Sequence, residues 1–282
     1  MTSPMGRSDR SGGGLDFEVQ HHDRALALQA RSHVRIGPFV CRFSPHRPDA
    51  FANFAIPDDD AEPTAADVRA LVRAFEEHER TPRLEFLAGC APAVEQVLAG
   101  AGFTVEHRGI VMACAPHWLL TPGLVPGLEL AEPSCGADLE GFALVQHRAF
   151  AEPGEMRSST EARLARMCER GSLVVLARYR GRIVGGGTCT APVNGVGELD
   201  GVAVAEGARH RGIGAAVSAR LTTLAHRRGY RLVWLEPADP AVQRVYTGVG
   251  YRPIADRLYI TLDAHPEMAP EASRPVLALR DR

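Results

Sequence analysis

Apolar residues recur along this chain at two periods, and the places where one period gives way to the other predict its elements. Over Ala65–Glu79 the residues Val68, Leu71, Val72 and Phe75 stand three and four apart, the spacing of a helix with one buried face. Val19–Arg35, Ala137–Phe150 and Thr160–Arg170 read as further helices, the last with Leu164 and Met167 turned inward. Short apolar runs predict strands at Phe39–Phe43, Asn53–Ile56, Val105–Cys114, Leu128–Ala131 and Arg257–Leu262. Ser172–Tyr179 and Ile183–Cys189 flank Arg180-Gly181-Arg182 and read as a hairpin. Pro116, Pro122 and Pro126 mark residues 115–127 as a linker. Helices interleaved with strands in this way place the chain in the mixed α/β (α+β) class.

The pattern occurs twice. With residue 83 set against residue 231, Arg83-Leu84-Glu85-Phe86-Leu87 lies over Arg231-Leu232-Val233-Trp234-Leu235. Pro92-Ala93-Val94 then lies over Pro240-Ala241-Val242, and Gly100 and Gly102 over Gly248 and Gly250. Val97 lies over Val245, and nine of the 21 positions from 83 to 103 are identical, where chance gives roughly one or two, so the chain is read as two copies of one fold. Asn53–Pro57 falls on Gly201–Ala205 at the same offset.

The copies part company where charge is concentrated. In the second copy Val202, Ala203 and Val204 end a strand, and a loop carrying Arg209, His210, Arg211, Gly212, Ile213 and Gly214 leads into a small-residue helix from Ala215. A strand, a glycine turn and a helix start in that order make an anion site, because free N–H groups and the positive helix end face the ligand. A pyrophosphate fits such a cradle. A tight turn with two solvated arginines is the plainer reading, and a dinucleotide fold lacks its third glycine, since Ala215-Ala216-Val217 follows. The first copy has Ala61–Ala66 at these positions, after Asp58, Asp59 and Asp60, which would repel a pyrophosphate.

Downstream, Gly229 ends the helix, Arg231–Leu235 is a buried strand, and Asp239 with Pro240 opens a short helix that closes on Gly248-Val249-Gly250-Tyr251. The arginine-and-glycine loop after the Val-x-Val strand, together with Tyr246 four residues before Gly250, resembles the GNAT acyltransferase superfamily. That resemblance implies two tandem GNAT-like domains, each a mixed, mostly antiparallel sheet flanked by helices. It implies acetyl-CoA, or another acyl-CoA, as cosubstrate, with Val202, Ala203, Val204, Arg209, His210, Arg211, Gly212, Ile213, Gly214 and Ala215 holding it. The strand around Val202–Val204 is expected to splay and offer a backbone N–H to the thioester carbonyl. Tyr246 falls where the family's general acid stands, which protonates the leaving thiolate, and its alternative is a packed aromatic anchor.

Asp239 departs from the Asn that relatives carry against the pantetheine arm. A base is needed to deprotonate an amine acceptor, and Glu198 and Glu236 both occupy positions that relatives use, with a solvated strand end as the alternative for each. By simple alternation Glu198, Asp200, Val202 and Val204 share one strand face. The loop Ala151–Met156 is expected to line the acceptor site, its two glutamates suited to an amine. The acceptor is a small molecule or a peptide. The rival reading is a non-catalytic acyl-CoA-binding or sensing module, and a structural dimer scaffold is a third.

Composition narrows this further. A length of 282 residues suits two domains, with expected bounds 15–115 for the degenerate copy and 128–263 for the catalytic one. Residues 1–14 and 264–282 read as tails, the first polar and unlike a signal peptide. Net charge is −2, so nothing marks the chain for nucleic acid or an anionic membrane. All 32 basic residues are arginine, as in a GC-rich bacterial genome. Six scattered cysteines fit a reducing cytoplasm, and eleven histidines show no metal spacing. Pairing of two copies of the chain into a homodimer stays open.

Overall fold

The computed structural model describes residues 14–29, 32–45, 47–150 and 158–262. The first half runs α1 (Leu15–Gln29), β1 (His33–Ile36), β2 (Phe39–Arg42), β3 (Phe54–Pro57), α2 (Ala65–Glu77), β4 (Arg83–Leu87), α3 (Pro92–Gly100) and β5 (Thr104–Cys114). The second runs β6 (Leu128–Ala131), α4 (Gly136–Ala149), α5 (Ser158–Glu169), β7 (Leu173–Tyr179) and β8 (Arg182–Cys189). It continues with β9 (Val196–Val204), α6 (Ile213–Arg227), β10 (Leu232–Leu235), α7 (Pro240–Val249) and β11 (Arg252–Thr261).

One difference from the sequence reading lies near the N-terminus. The helix expected over Val19–Arg35 starts at Leu15 and stops at Gln29, and His33–Ile36 is instead an edge strand paired with β2. Val34 and Ile36 are half-buried while His33 and Arg35 are exposed, a period of two that the short run hides in the sequence. Gly37, at φ +51, makes the turn between the strands.

The two copies are visible as one element order, β3-α2-β4-α3-β5 against β9-α6-β10-α7-β11. Helices α2 and α6 begin at Ala65 and Ile213, in the same register that set residue 83 against 231. The eleven strands of the described residues form one mostly antiparallel sheet, ordered β1-β2-β3-β4-β11-β5-β10-β9-β8-β7-β6. The final strands are exchanged: β11 pairs with β4 of the first half, and β5 pairs with β10 of the second, each antiparallel. The two exchanged strands also pair with each other, from Arg252↔Ala113 to Thr261↔Thr104. Neither half completes its sheet without the other.

Helix α1 lies across this join. Its Val19 shares a buried cluster with Leu87, Val111, Val196 and Trp234, which come from β4, β5, β9 and β10. Asp23 accepts a hydrogen bond from Arg257, whose guanidinium is 4.9 Å from the Trp234 ring centroid and almost wholly buried. On the opposite face α2 and α3 cover the first half, with Leu71, Phe75, Val94 and Leu98 in its core. Helices α6 and α7 cover the second, with Val217, Leu221, Val242 and Tyr246. Four cysteines are buried; Cys135 is exposed and Cys168 half-buried. Burial pushes the Cys41 and Cys114 thiols up to about 12, which leaves them unreactive packing groups.

Candidate active site

The parallel strands β9 and β10 pair through Leu232↔Val196, Val233↔Gly197 and Trp234↔Glu198, and β10 ends one residue later. Strand β9 continues to Val204, held on its other side by β8. Its edge from Leu199 to Val204 is therefore open toward β10, the splay that the sequence predicts.

Simple alternation fails along that edge. Between the pairs Thr188↔Asp200 and Gly186↔Ala203, β9 has two residues opposite one on β8, a bulge with Gly201 at φ +63. The extra residue reverses the parity. Leu199, Val202 and Val204 belong to the core under α6, whereas Ala203 belongs to the core under α4. A Cβ on Gly197 would meet the Tyr230 ring in the α6 core, so Glu198 and Asp200 point to the opposite face from Val202 and Val204. This overturns the expected single face. Gln146 on α4 secures the bulge by donating to Gly201 O at 2.7 Å, and Arg163 Nη2 donates to the Gln146 side-chain oxygen at 3.2 Å. Nothing in the sequence announces Gln146, which lies 55 residues from its partner.

Beyond Val204 the loop makes one 3-10 turn, Glu206–Ala208, and then passes through His210 at φ +59 and Gly212 at φ +77. Gly212 is the N-cap of α6, and no side chain caps that helix. Its first N–H groups are thus left to an outside acceptor, at the positive end of a helix of 15 residues. Gly214 and Ala215 lie in the first turn, half-buried, and Ile213 is buried beneath. The nearest atom to a Cβ placed on Gly214 is Val204 Cγ2, at 3.9 Å. Protein packing leaves room for a side chain there, so the space suits an anion approaching the backbone. Arg209 Nε donates to Val204 O at 3.2 Å, which ties this side chain to the strand end. Arg211 is exposed, its guanidinium 5.6 Å from the Tyr179 ring centroid.

Tyr246 lies beneath α6, fully buried, with its ring edge-on to Tyr251 at 5.7 Å. Its hydroxyl bonds to Ser218 of α6, and burial together with the Asp200 charge raises its pKa, which keeps the proton in place. The Tyr251 hydroxyl and Thr222 Oγ1 are 2.6 Å apart. Gly250, at φ +105, is pressed against the linker, because any Cβ there would lie 2.0 Å from Trp118 O.

The remaining candidates divide. Asp239 is the N-cap of α7, its Oδ1 accepting from Ala241 N at 2.7 Å and Val242 N at 2.9 Å. Glu236 turns away from the loop and accepts from Tyr259 Oη, with Arg257 Nε at 3.6 Å. Glu198 stands at the vertex of the splay, half-buried. The loop 151–156 expected to line an acceptor lies outside the described residues, as do the tails before residue 14 and after 262. Among the described residues no cluster of His, Cys, Asp or Glu is arranged for a metal, and no helix is long and apolar enough to cross a membrane.

Residues 142–251 match the acetyltransferase (GNAT) family. The fold is similar to that of a GCN5-related N-acetyltransferase from Kribbella flavida, at a TM-score of 0.74 and 24% identity, over 89% of this chain and 96% of that one. A functionally unknown conserved protein from Staphylococcus epidermidis matches at a TM-score of 0.62 and 16% identity, over 84% and 96%. A tandem GNAT protein from the clavulanic acid biosynthesis pathway matches at 0.56 and 15%, over 85% and 86%. Comparison with curated protein sequences finds no match. The chain carries a GNAT domain in its second half and has the tandem GNAT fold.

Proposed function

We propose that this chain, with its GNAT domain at residues 142–251, is an acyl-CoA-dependent N-acyltransferase that uses acetyl-CoA and acylates an amine of a small molecule or peptide. The observation that carries the reading is the coincidence of three features. The β9–β10 splay opens at Glu198, the uncapped N-terminus of α6 adjoins it, and Tyr246 lies under the same helix.

Acyl-CoA, when bound, supplies the thioester that the amine attacks. The N–H groups at the start of α6, with Arg211 beside them, hold the pyrophosphate. Backbone N–H groups on the open edge at Val202–Val204 stabilise the oxyanion. Glu198 accepts the amine proton, directly or through water. It is favoured over Glu236 because it stands at the vertex of the splay, whereas the Glu236 carboxylate turns to Tyr259 and Arg257. The Tyr246 proton passes to the departing thiolate, so the amine loses a proton and the thiol gains one.

The test is Tyr246→Phe, which removes one buried hydroxyl and little else. Turnover with an amine panel should fall about a hundredfold or more, while acetyl-CoA still raises the melting temperature as in the parent protein. A parent protein stabilised by acetyl-CoA but without transfer to any amine would favour a sensing module. No stabilisation at all would remove the acyl-CoA reading.

A further inference from the structure

Where α1 crosses onto the second half, it brings His22 to the vertex of the β9–β10 splay. Three residues lie there side by side across the sheet. Thr190, just past β8, donates its backbone N–H to Glu198 O at 2.8 Å, and Glu198 N donates to Thr190 Oγ1, also at 2.8 Å. On its other side Glu198 pairs with Trp234 of β10. His22 bridges the outer two. Trp234 Nε1 donates to His22 Nδ1 at 3.2 Å, and His22 Nε2 stands 3.5 Å from Thr190 Oγ1. Asp23 Oδ1 is farther from Nδ1, at 3.6 Å, and the Asp23 carboxylate accepts from Arg257. The His22 side chain is wholly buried, its ring edge-on to Trp234 at 5.9 Å.

An indole N–H can only donate, so Nδ1 is the acceptor and Nε2 carries the ring hydrogen toward Thr190. A buried imidazole is unfavourable among apolar neighbours such as Val19 and Leu87 unless its nitrogens find partners. Here both nitrogens meet the residues that flank one carboxylate. We propose that His22 is a positioning residue for acyl transfer. By tying Thr190 to Trp234 across the strand between them, it fixes the backbone from which Glu198 reaches the acceptor amine. The inference rests on the acyltransferase reading above and deepens it, because it gives the half without a cradle a part in the reaction. A carboxylate acts as a base only within hydrogen-bond reach of the amine, and a displacement of about 1 Å costs up to about a hundredfold in rate.

The experiment is steady-state kinetics of the full chain with acetyl-CoA and the best acceptor of the amine panel. His22→Leu should lower kcat about tenfold or more and leave the acetyl-CoA KM unchanged, because the α6 cradle lies on the other face of the sheet. His22→Gln, whose amide can accept from Trp234 and donate to Thr190, should restore most of the rate. Thr190→Val should lower kcat by a similar factor, and adding His22→Leu to it should change little more, since both act through one contact. Melting temperatures check folding. If His22→Leu does not fold, Trp234→Phe takes its place; it removes the indole N–H and should lower kcat about threefold or more at unchanged KM. A parent-like kcat in the folded variant, a loss in His22→Gln as large as in His22→Leu, or fully additive losses with Thr190→Val would overturn the positioning role and leave the acyltransferase reading standing. A parent protein that acetylates no amine would overturn both.

Discussion

At the β3–α2 junction Thr64 accepts a hydrogen bond from Asp67 N, and the Asp67 carboxylate accepts from Thr64 N in return. The repeat register sets Gly212 and Ala215 at these two positions of the β9–α6 junction, where no side chain caps the helix. The surroundings differ in the same sense. Asp59 is paired with Arg24, Asp58 with Arg35, and the two acids occupy the turn that an anion would need. In the second half that turn carries Arg209 and Arg211. One backbone geometry thus yields two outcomes. The first junction satisfies its helix start internally and contributes stability; the second leaves the same groups unsatisfied and available to a ligand. The candidate site is a place where the chain leaves its own helix-start hydrogen bonds open.

The largest effect is expected from disrupting what both junctions share. Arg257→Met strands the half-buried Asp23 carboxylate at the join of the halves, and should cost about 3 kcal/mol in urea unfolding. Both halves should weaken together in one transition, because β5 and β11 are exchanged; two separated transitions would show that the halves fold independently. Acid sharpens the point. Burial alone would raise the Asp23 carboxyl, but Arg257 and His22 beside it hold it below the ordinary carboxylate range. A depressed carboxylate stabilises the fold above its unfolded pKa of about 4 and loses that contribution as pH falls through the folded value. The stability gap between the parent and Arg257→Met should therefore narrow in urea titrations taken from pH 6 to pH 3.

Ala215→Asp comes next, since it writes the first junction's acid into the second. Acetyl-CoA affinity should drop about a hundredfold through repulsion of the pyrophosphate. The unliganded melting temperature should hold or rise, because a carboxylate in the first turn favours the helix dipole by about 0.5 kcal/mol. Loss of affinity with a matching loss of stability would mean a folding defect and not an occupied cradle. The smallest effect is that of Thr64→Ala, which removes the cap of α2. It should cost about 1 kcal/mol in thermal unfolding and leave acetyl-CoA binding unchanged. A change in binding would show that the first junction is not silent.

Much of this contrast is readable in the chain. The repeat register places Gly212 on Thr64 and Gly214 on Ala66, and the structure starts α6 and α2 at that same offset. Apolar periodicity located α2 and the β7–β8 hairpin because each buries one face over many residues. It misassigned residues 33–36, where four residues are too few to separate period two from a continuing helix. Among the candidate site residues, the glycine loop and Tyr246 form a local motif that the sequence displays. The Gly201 bulge is not displayed, since it needs the register of β8 to exist, and Gln146 is not, since its partner is far away in sequence.

By itself the sequence determined that the fold is duplicated, that one copy has arginines and glycines where the other has Ala61–Ala66 after three aspartates, and that Tyr246 lies in register with Gly250. These depend on local spacing and on side-chain identity. Only the tertiary structure decided that the last strands are exchanged and that Glu236 is engaged by Tyr259 and Arg257. Either final strand is apolar enough to pair with either inner edge. The choice rests on contacts between distant segments, among them Val19 against Trp234 and Asp23 against Arg257, whose energies no local pattern records.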